Sequence, residues 1–351
     1  MEYYYYSHLA KAEQAIYRAM LDGISSLSLS FAVPKAELTA LNSILFRLRL
    51  DHPEIFYVTG FSCRIHPDAS CVTMLPDYLF DRSKVREHQK ALSTRVRRLA
   101  DGAKNMSEVE KEQYIHDFIC RNVRYDKLKK AYSHEIIGPL GQGVGVCEGI
   151  AKTVKILCDA LGLWCIIAIS EAAPDKGIKY RHAWNIIRLK GQYYHLDATF
   201  DGTLTGEDLL RYDYFNLDDR WIFRDHQPVL FPVPACADSA QSYYRSRKLS
   251  FTKEEEVCKR AAQAIRKGLP LAVHWRGGFL TREVLVRLME QLEQAARQKG
   301  RHVQLSLNWP QAVLCLRFPQ TVPQQTLITE EANEGEQDGE GSSCEHQVTG
   351  C

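Results

Sequence analysis

The stretch Gly143-Val-Gly-Val-Cys147-Glu-Gly-Ile-Ala-Lys-Thr-Val-Lys-Ile-Leu-Cys-Asp-Ala-Leu-Gly162 decides the reading of this chain. After the glycines, Ile150, Val154, Leu157, Cys158 and Leu161 recur at helical spacing, and Gly162 is a natural stop. Cys147 therefore opens a buried helix. The N–H groups and positive dipole end of a helix start favour a thiolate, and they offer a donor to an oxyanion. Glu148 works against the thiolate, because a neighbouring negative charge raises a thiol pKa. The plain alternative for Cys147 is a small core residue after a glycine turn.

A second stretch supplies the partners: Tyr180-Arg-His182-Ala-Trp184-Asn-Ile-Ile-Arg-Leu-Lys190-Gly191-Gln-Tyr-Tyr-His195-Leu-Asp197-Ala-Thr-Phe200. Two strands flank Lys190-Gly191, which suits a tight hairpin turn. Pairing Leu189 with Gln192 sets Trp184 opposite Asp197 and His182 opposite Thr199. His182 and Asp197 then share a face as diagonal neighbours, about 5–8 Å apart between Cβ atoms. A three-residue loop would change the parity and part them. A thiol at a helix start with an imidazole–carboxylate pair is the set that nucleophilic catalysis needs. Cys147 attacks, His182 takes and returns the proton, and Asp197 orients the ring. Asp201, in Asp201-Gly202, reads as a turn residue and is the less favoured acid. Tyr193, Tyr194 and His195 read as structural or cleft-lining.

These residues resemble a family. Gly-Val-Cys147-Glu-Gly with its helix, His182-Ala-Trp-Asn, and Tyr-His195-Leu-Asp197-Ala-Thr are similar to the three core motifs of the transglutaminase-like superfamily, which is related in fold to papain-like cysteine proteases. His134-Glu-Ile-Ile-Gly138-Pro-Leu140 is similar to the segment that precedes the nucleophile. Tyr214-Phe-Asn-Leu217 and Arg224-Asp-His226 resemble the end of the domain in bacterial members. The resemblance covers roughly residues 105 to 227. It implies Cys147 as nucleophile, His182 as general base and Asp197 as orienting acid. Ile137 and Ile150 depart from it, standing where an aromatic is common. Gln142, five residues before Cys147, and the Trp184 indole N–H are the candidates for a further oxyanion donor. The mechanism calls for no metal and no other cofactor.

Around this block, helices are expected at Ala10–Leu21, Lys35–Leu50, Ser83–Leu99 and Glu108–Val123, the last opened by the capping box Ser107/Glu110. Ile55–Phe61 and Cys71–Leu75 read as a strand pair. After Pro228, Pro232 and Pro234, a smaller α/β unit follows. It has a helix from near Glu254, a strand at Pro270–Trp275 and a helix capped by Thr281. A hairpin joins Val303–Leu307 to Ala312–Phe318. The predicted organisation is a helix-rich N-terminal region (1–104), a catalytic domain (105–228), a linker (229–251), a small α/β domain (252–320) and a disordered acidic tail (321–351). The fold class is α+β with a papain-like core.

Composition excludes other classes. Hydrophobic residues are 45% and charged residues 25%, as in a globular protein. The longest apolar run, Leu163–Ile169, cannot span a bilayer, and the Tyr-rich start is no secretory signal, so a cytoplasmic location and no membrane partner are expected. The net charge is +2, and seven carboxylates after Pro319 leave the remainder mildly basic. Its Arg and Lys clusters lack interleaved aromatics, so nucleic acid is not an expected partner. The eleven cysteines are expected as reduced thiols. Cys63, His66 and Cys71 lack the four-ligand spacing of a zinc site. The expected activity is acyl transfer on peptide or protein amides through a thioester, ending in hydrolysis or crosslinking. The alternative is a non-catalytic protein-binding module on the same fold.

Overall fold

The computed structural model describes residues 3–65, 69–176, 178, 180–320 and 328–330. The chain divides into two compact units, which meet in sequence at Ala168/Ile169. Helix and sheet both contribute, and the class is α+β.

The first unit begins with helices α1 (Tyr4–Ser7) and α2 (Lys11–Ser25), strand β1 (Phe31–Pro34) and helix α3 (Leu38–Asp51). The Tyr-rich start is anchored: Asp51, at the end of α3, accepts the N–H groups of Tyr5 and Tyr6 and the hydroxyl of Tyr17. Strands β2 (Val58–Ile65) and β3 (Cys71–Tyr78) pair antiparallel, and β1 adds to the other side of β3. Pro34, which has no backbone N–H to donate, is the last residue of β1. His66, of the Cys63/His66/Cys71 set, lies outside the described residues.

Helices α4 (Arg82–Ala103) and α5 (Glu108–Asn122) follow, each capped by its own sequence: Asp81 accepts from Lys84 N–H, and Ser107 with Glu110 closes the capping box. Two short parallel strands, β4 (Arg124–Tyr125) and β5 (Val144–Gly145), bracket a tight segment of 3-10 and π turns. Helix α6 (Cys147–Ala160) is the central element, with nine of its fourteen residues buried. Gly162, at φ +73°, stops it. Strand β6 (Trp164–Ile169) is the apolar run of the sequence, and the unit boundary falls at its end.

The second unit opens with strands β7 (Ala183–Leu189) and β8 (Gln192–Leu196). Leu189 pairs with Gln192 and Asn185 with Leu196, the register expected from a two-residue loop. Lys190 and Gly191 both have positive φ (50° and 81°), as a type I′ turn demands. The ladder stops there. Ala198 and Thr199 do not continue the strand. They begin helix α7 (Ala198–Leu204), so the expected pairing of His182 with Thr199 does not form. Asp201-Gly202, read as a turn, lies inside that helix.

Strand β9 (Phe215–Leu217) extends the sheet beyond β8, followed by short helices α8 (Asp219–Ile222) and α9 (Tyr243–Ser246). The C-terminal sheet runs β10 (Ser250–Phe251), β11 (Leu271–Trp275), β13 (Val313–Arg317), β12 (Gln304–Asn308), β14 (Ile328–Glu330) in spatial order. Helices α10 (Glu254–Lys267) and α11 (Arg282–Arg297) pack against it. Within the expected acidic tail, β14 pairs in parallel with β12. Residues 321–327 and 331–351 of that tail lie outside the described residues.

One apolar core joins this C-terminal part to the segment before it. Val257, Ile265, Val273, Leu288, Leu305 and Leu314 pack with Tyr214, Leu217, Trp221 and Ile222. Leu288 is wholly buried there. Leu288→Ala is expected to cost about 2–5 kcal/mol, from lost burial plus the cavity it leaves. A lowered denaturant midpoint in urea unfolding followed by circular dichroism measures it.

Candidate active site

Cys147 is the first residue of α6 and is partly buried. Its position is set by the turn ahead of it. Val146 N–H donates to Ser133 O at 3.0 Å, and Gly149 passes under the same carbonyl so closely that a Cβ would lie 2.2 Å from it. No side chain fits there, so the glycine is a requirement of backbone approach. Ile150 N–H makes the first bond into the helix, to Val146 O. The N–H groups ahead of it have no intrahelical acceptor, as at any helix start.

Glu148 does not stand as a lone negative charge beside the thiol. Lys152, one turn on and fully buried, places Nζ 2.6 Å from Glu148 and 2.8 Å from Glu135. Arg49 from α3 bonds Glu135 and lies 3.8 Å from Glu148. Two cations and two carboxylates thus form a charge-balanced buried quartet beneath the start of α6. Burial pushes the Glu148 pKa up, but Lys152, His134 and Arg49 outweigh it and hold the carboxyl well below its usual range.

His182 and Asp197 lie just outside their strands. Ser170 brackets His182 on the backbone, accepting its N–H through Oγ and donating to its carbonyl. The His182 Nε2 lies 2.6 Å from Asp197 Oδ2. The expected contact forms although the strand pairing behind the expectation does not, because Asp197 caps α7. Its Oδ1 accepts the N–H groups of Thr199 and Phe200, and this turns Oδ2 to the imidazole.

A second imidazole shares the same oxygen. His226 Nε2 lies 2.9 Å from Asp197 Oδ2, and its Nδ1 lies 2.8 Å from Asp225 Oδ1. Asp225 Oδ2 accepts from the Tyr214 hydroxyl at 2.6 Å, and Gln311 Nε2 reaches both of its oxygens. Asn308 donates to Asp213 and to Tyr214 Oη. Asn308 is the last residue of β12, and Gln311 lies in the turn that joins β12 to β13. The C-terminal sheet therefore buttresses the carboxylate that holds His182. In the sequence, Asp225-His226 stands out only as the end of the domain, and nothing local marks Asn308 or Gln311 as reaching it. The adjacent acid and histidine were the available signal.

Burial raises the Asp197 pKa, and the two histidines lower it further than that, so its carboxyl sits well below the usual range. Phe200 and Trp184 wall the rings, with Phe200 4.7 Å from each imidazole between centroids. The Trp184 indole N–H, a candidate oxyanion donor from sequence, donates to His195 Nδ1 at 3.0 Å, so the single donor an indole has is taken. His195 Nε2 faces Asp219 at 2.8 Å, and burial lowers the pKa of this ring. Both ring nitrogens of His195 thus have partners within the fold. Gln142 is exposed at the end of the π turn. Asp201 is buried and accepts Tyr214 N–H, a structural task.

Residues 93–198 match the model of the transglutaminase-like superfamily. This stretch is a transglutaminase-like domain. The match includes Cys147, His182 and Asp197 and stops short of His226 and the C-terminal sheet. No curated protein sequence matches the chain. Among solved structures, a TGase is 14% identical with a TM-score of 0.29, covering 57% of this chain and 60% of that one. A structure from Cytophaga hutchinsonii, described as a "Putative Cysteine Protease", is 16% identical with a TM-score of 0.26, covering 40% of this chain and 62% of that one. Menin, whose structure reveals the binding site for Mixed Lineage Leukemia (MLL) protein, is 13% identical with a TM-score of 0.27, covering 83% and 62%. The chain spans less than two thirds of each of these structures. Among its described residues, no helix is long and apolar enough to cross a membrane.

The low Asp197 pKa has a consequence for stability. A carboxylate held below its unfolded value, about 4, contributes stability that is complete above that value and is lost as pH falls through the folded one. Asp197→Asn removes this linkage. Between about pH 5 and about pH 3 the melting temperature of the variant is expected to fall less steeply than that of the parent, read by thermal unfolding. Parallel slopes would contradict it.

Proposed function

We propose that the transglutaminase-like domain is a cysteine-dependent acyltransferase acting on peptide or protein amides, with Cys147 as nucleophile, His182 as general base and Asp197 as its orienting acid. The observation that carries this reading is the His182–Asp197 pair at 2.6 Å, in a chain whose family match spans all three residues. With Nε2 turned to Asp197, the ring acts on a thiol through Nδ1.

In the proposed reaction, His182 takes the Cys147 proton and the thiolate adds to the amide carbon. The tetrahedral oxyanion collapses as the C–N bond breaks, and the imidazolium gives its proton to the leaving amine or ammonia. A thioester remains. Water then yields a carboxylate, or a second amine yields a new amide, with His182 again removing the proton from the attacking group. The helix-start N–H groups beside Cys147 are suited to the oxyanion. Which acceptor prevails depends on how water is excluded.

The reading is tested by the pH dependence of iodoacetamide alkylation at Cys147, located by mass spectrometry. Fast labelling well below about pH 8, the ordinary thiol range, is expected. His182→Ala should slow both this labelling and amide hydrolysis, the latter by about 10²–10⁴-fold. Labelling that ignores His182 would favour a binding module instead.

A further inference from the structure

The donor atoms of His182, Asp197 and His226 all lie within 4.8 Å of one another. Two imidazole nitrogens and a carboxylate oxygen are the ligand set of a zinc-class ion, not of calcium or magnesium. We propose that these three side chains form a binding site for such an ion, and that occupying it competes with the His182–Asp197 hydrogen bond.

The surroundings are those of a metal site. A metal-bound histidine usually donates its other ring N–H to a carboxylate, and His226 Nδ1 faces Asp225 Oδ1 at 2.8 Å. Asp225 is itself held by Tyr214 and Gln311. The Asp197 oxygen that faces neither histidine is fixed by Thr199 and Phe200 N–H. Both His226 nitrogens face carboxylates, so the ring stays held whether Nε2 carries a proton or a metal. A metal at Nε2, with the proton on Nδ1, satisfies both sides of that ring. Asp197 and Asp225 together balance a doubly charged ion. His226 and Asp197 are fully buried, while the His182 side chain is 20% exposed, so entry and a fourth, water ligand come from its side.

A second trio, His195, Asp219 and Cys236, fails the same test. Trp184 donates to His195 Nδ1, so the neutral ring keeps its proton on Nε2 and has no lone pair there for a metal.

Binding has a chemical consequence. With metal on Nε2, a neutral His182 must carry its proton on Nδ1, where it can no longer accept one from a thiol. That consequence rests on the function proposed above, whereas metal binding itself does not.

The experiment uses the full chain with Cys147→Ala, which removes the proposed nucleophile as a competing ligand and has no acyl-transfer activity to confuse the result. Zinc chloride is titrated by isothermal calorimetry, and the loaded protein is examined by zinc-edge X-ray absorption. The expected result is one zinc per chain, bound by nitrogen and oxygen with two imidazoles and no sulfur. Asp225→Asn in the same background should weaken binding about 10–100-fold, the usual effect of losing such an outer partner, while circular dichroism confirms that it folds. Absence of stoichiometric zinc, a sulfur ligand, a single imidazole, or unchanged affinity in a folded Asp225→Asn chain would each overturn the proposal. None of these outcomes touches the alkylation test of Cys147.

Discussion

The carboxylate of Asp197 is the hinge of the second unit. One oxygen caps helix α7 through two backbone N–H groups, and the other holds two imidazoles, while its own N–H donates to Tyr214 O. A fully buried charge is costly unless every lone pair is met. Here each is met by a group that does something else as well. The cap starts a helix, His182 is the proposed base, and His226 leads on to Asp225, Tyr214 and the β12–β13 turn. Removing the carboxylate would release all of these together.

That arrangement gives the C-terminal sheet a role that its position far along the chain conceals. Asn308 at the end of β12 and Gln311 in the turn after it extend to Asp213, Tyr214 and Asp225. The helices α10 and α11 share their apolar core with Trp221 and Ile222, the elements just before His226. The polar relay and the apolar core therefore hold the same short segment, and the proposed site gains rigidity when its outer contacts are themselves packed.

The first unit solves a different problem, that of starting a helix at a cysteine within a crowded glycine turn. Gly149 allows the Ser133 carbonyl to approach, and the quartet of Arg49, Glu135, Glu148 and Lys152 neutralises the charges that the first turn of α6 buries. Glu148, which in sequence looks harmful to a thiolate, is answered by Lys152 one turn later. The i,i+4 spacing was visible in the sequence. Arg49, nearly a hundred residues upstream, was not.

Local pattern was enough for much of this protein. The helical stripe from Ile150 to Leu161, the Ser107/Glu110 cap, the Thr281 cap and the Lys190-Gly191 turn each depend on residues within a few positions of one another, so the sequence by itself determined them. It also singled out His182 and Asp197, whose contact forms, although by helix capping and not by the strand pairing that suggested it. Only the tertiary structure decided that Trp184 serves His195, that Asp201 is a buried acceptor, that Pro34 closes a strand, and that His226 shares the Asp197 oxygen. For the three polar contacts the physical reason is the same. A polar atom in the interior takes whichever partner the folded chain brings within about 3 Å. That partner is chosen by packing between segments far apart in sequence, which no local spacing encodes.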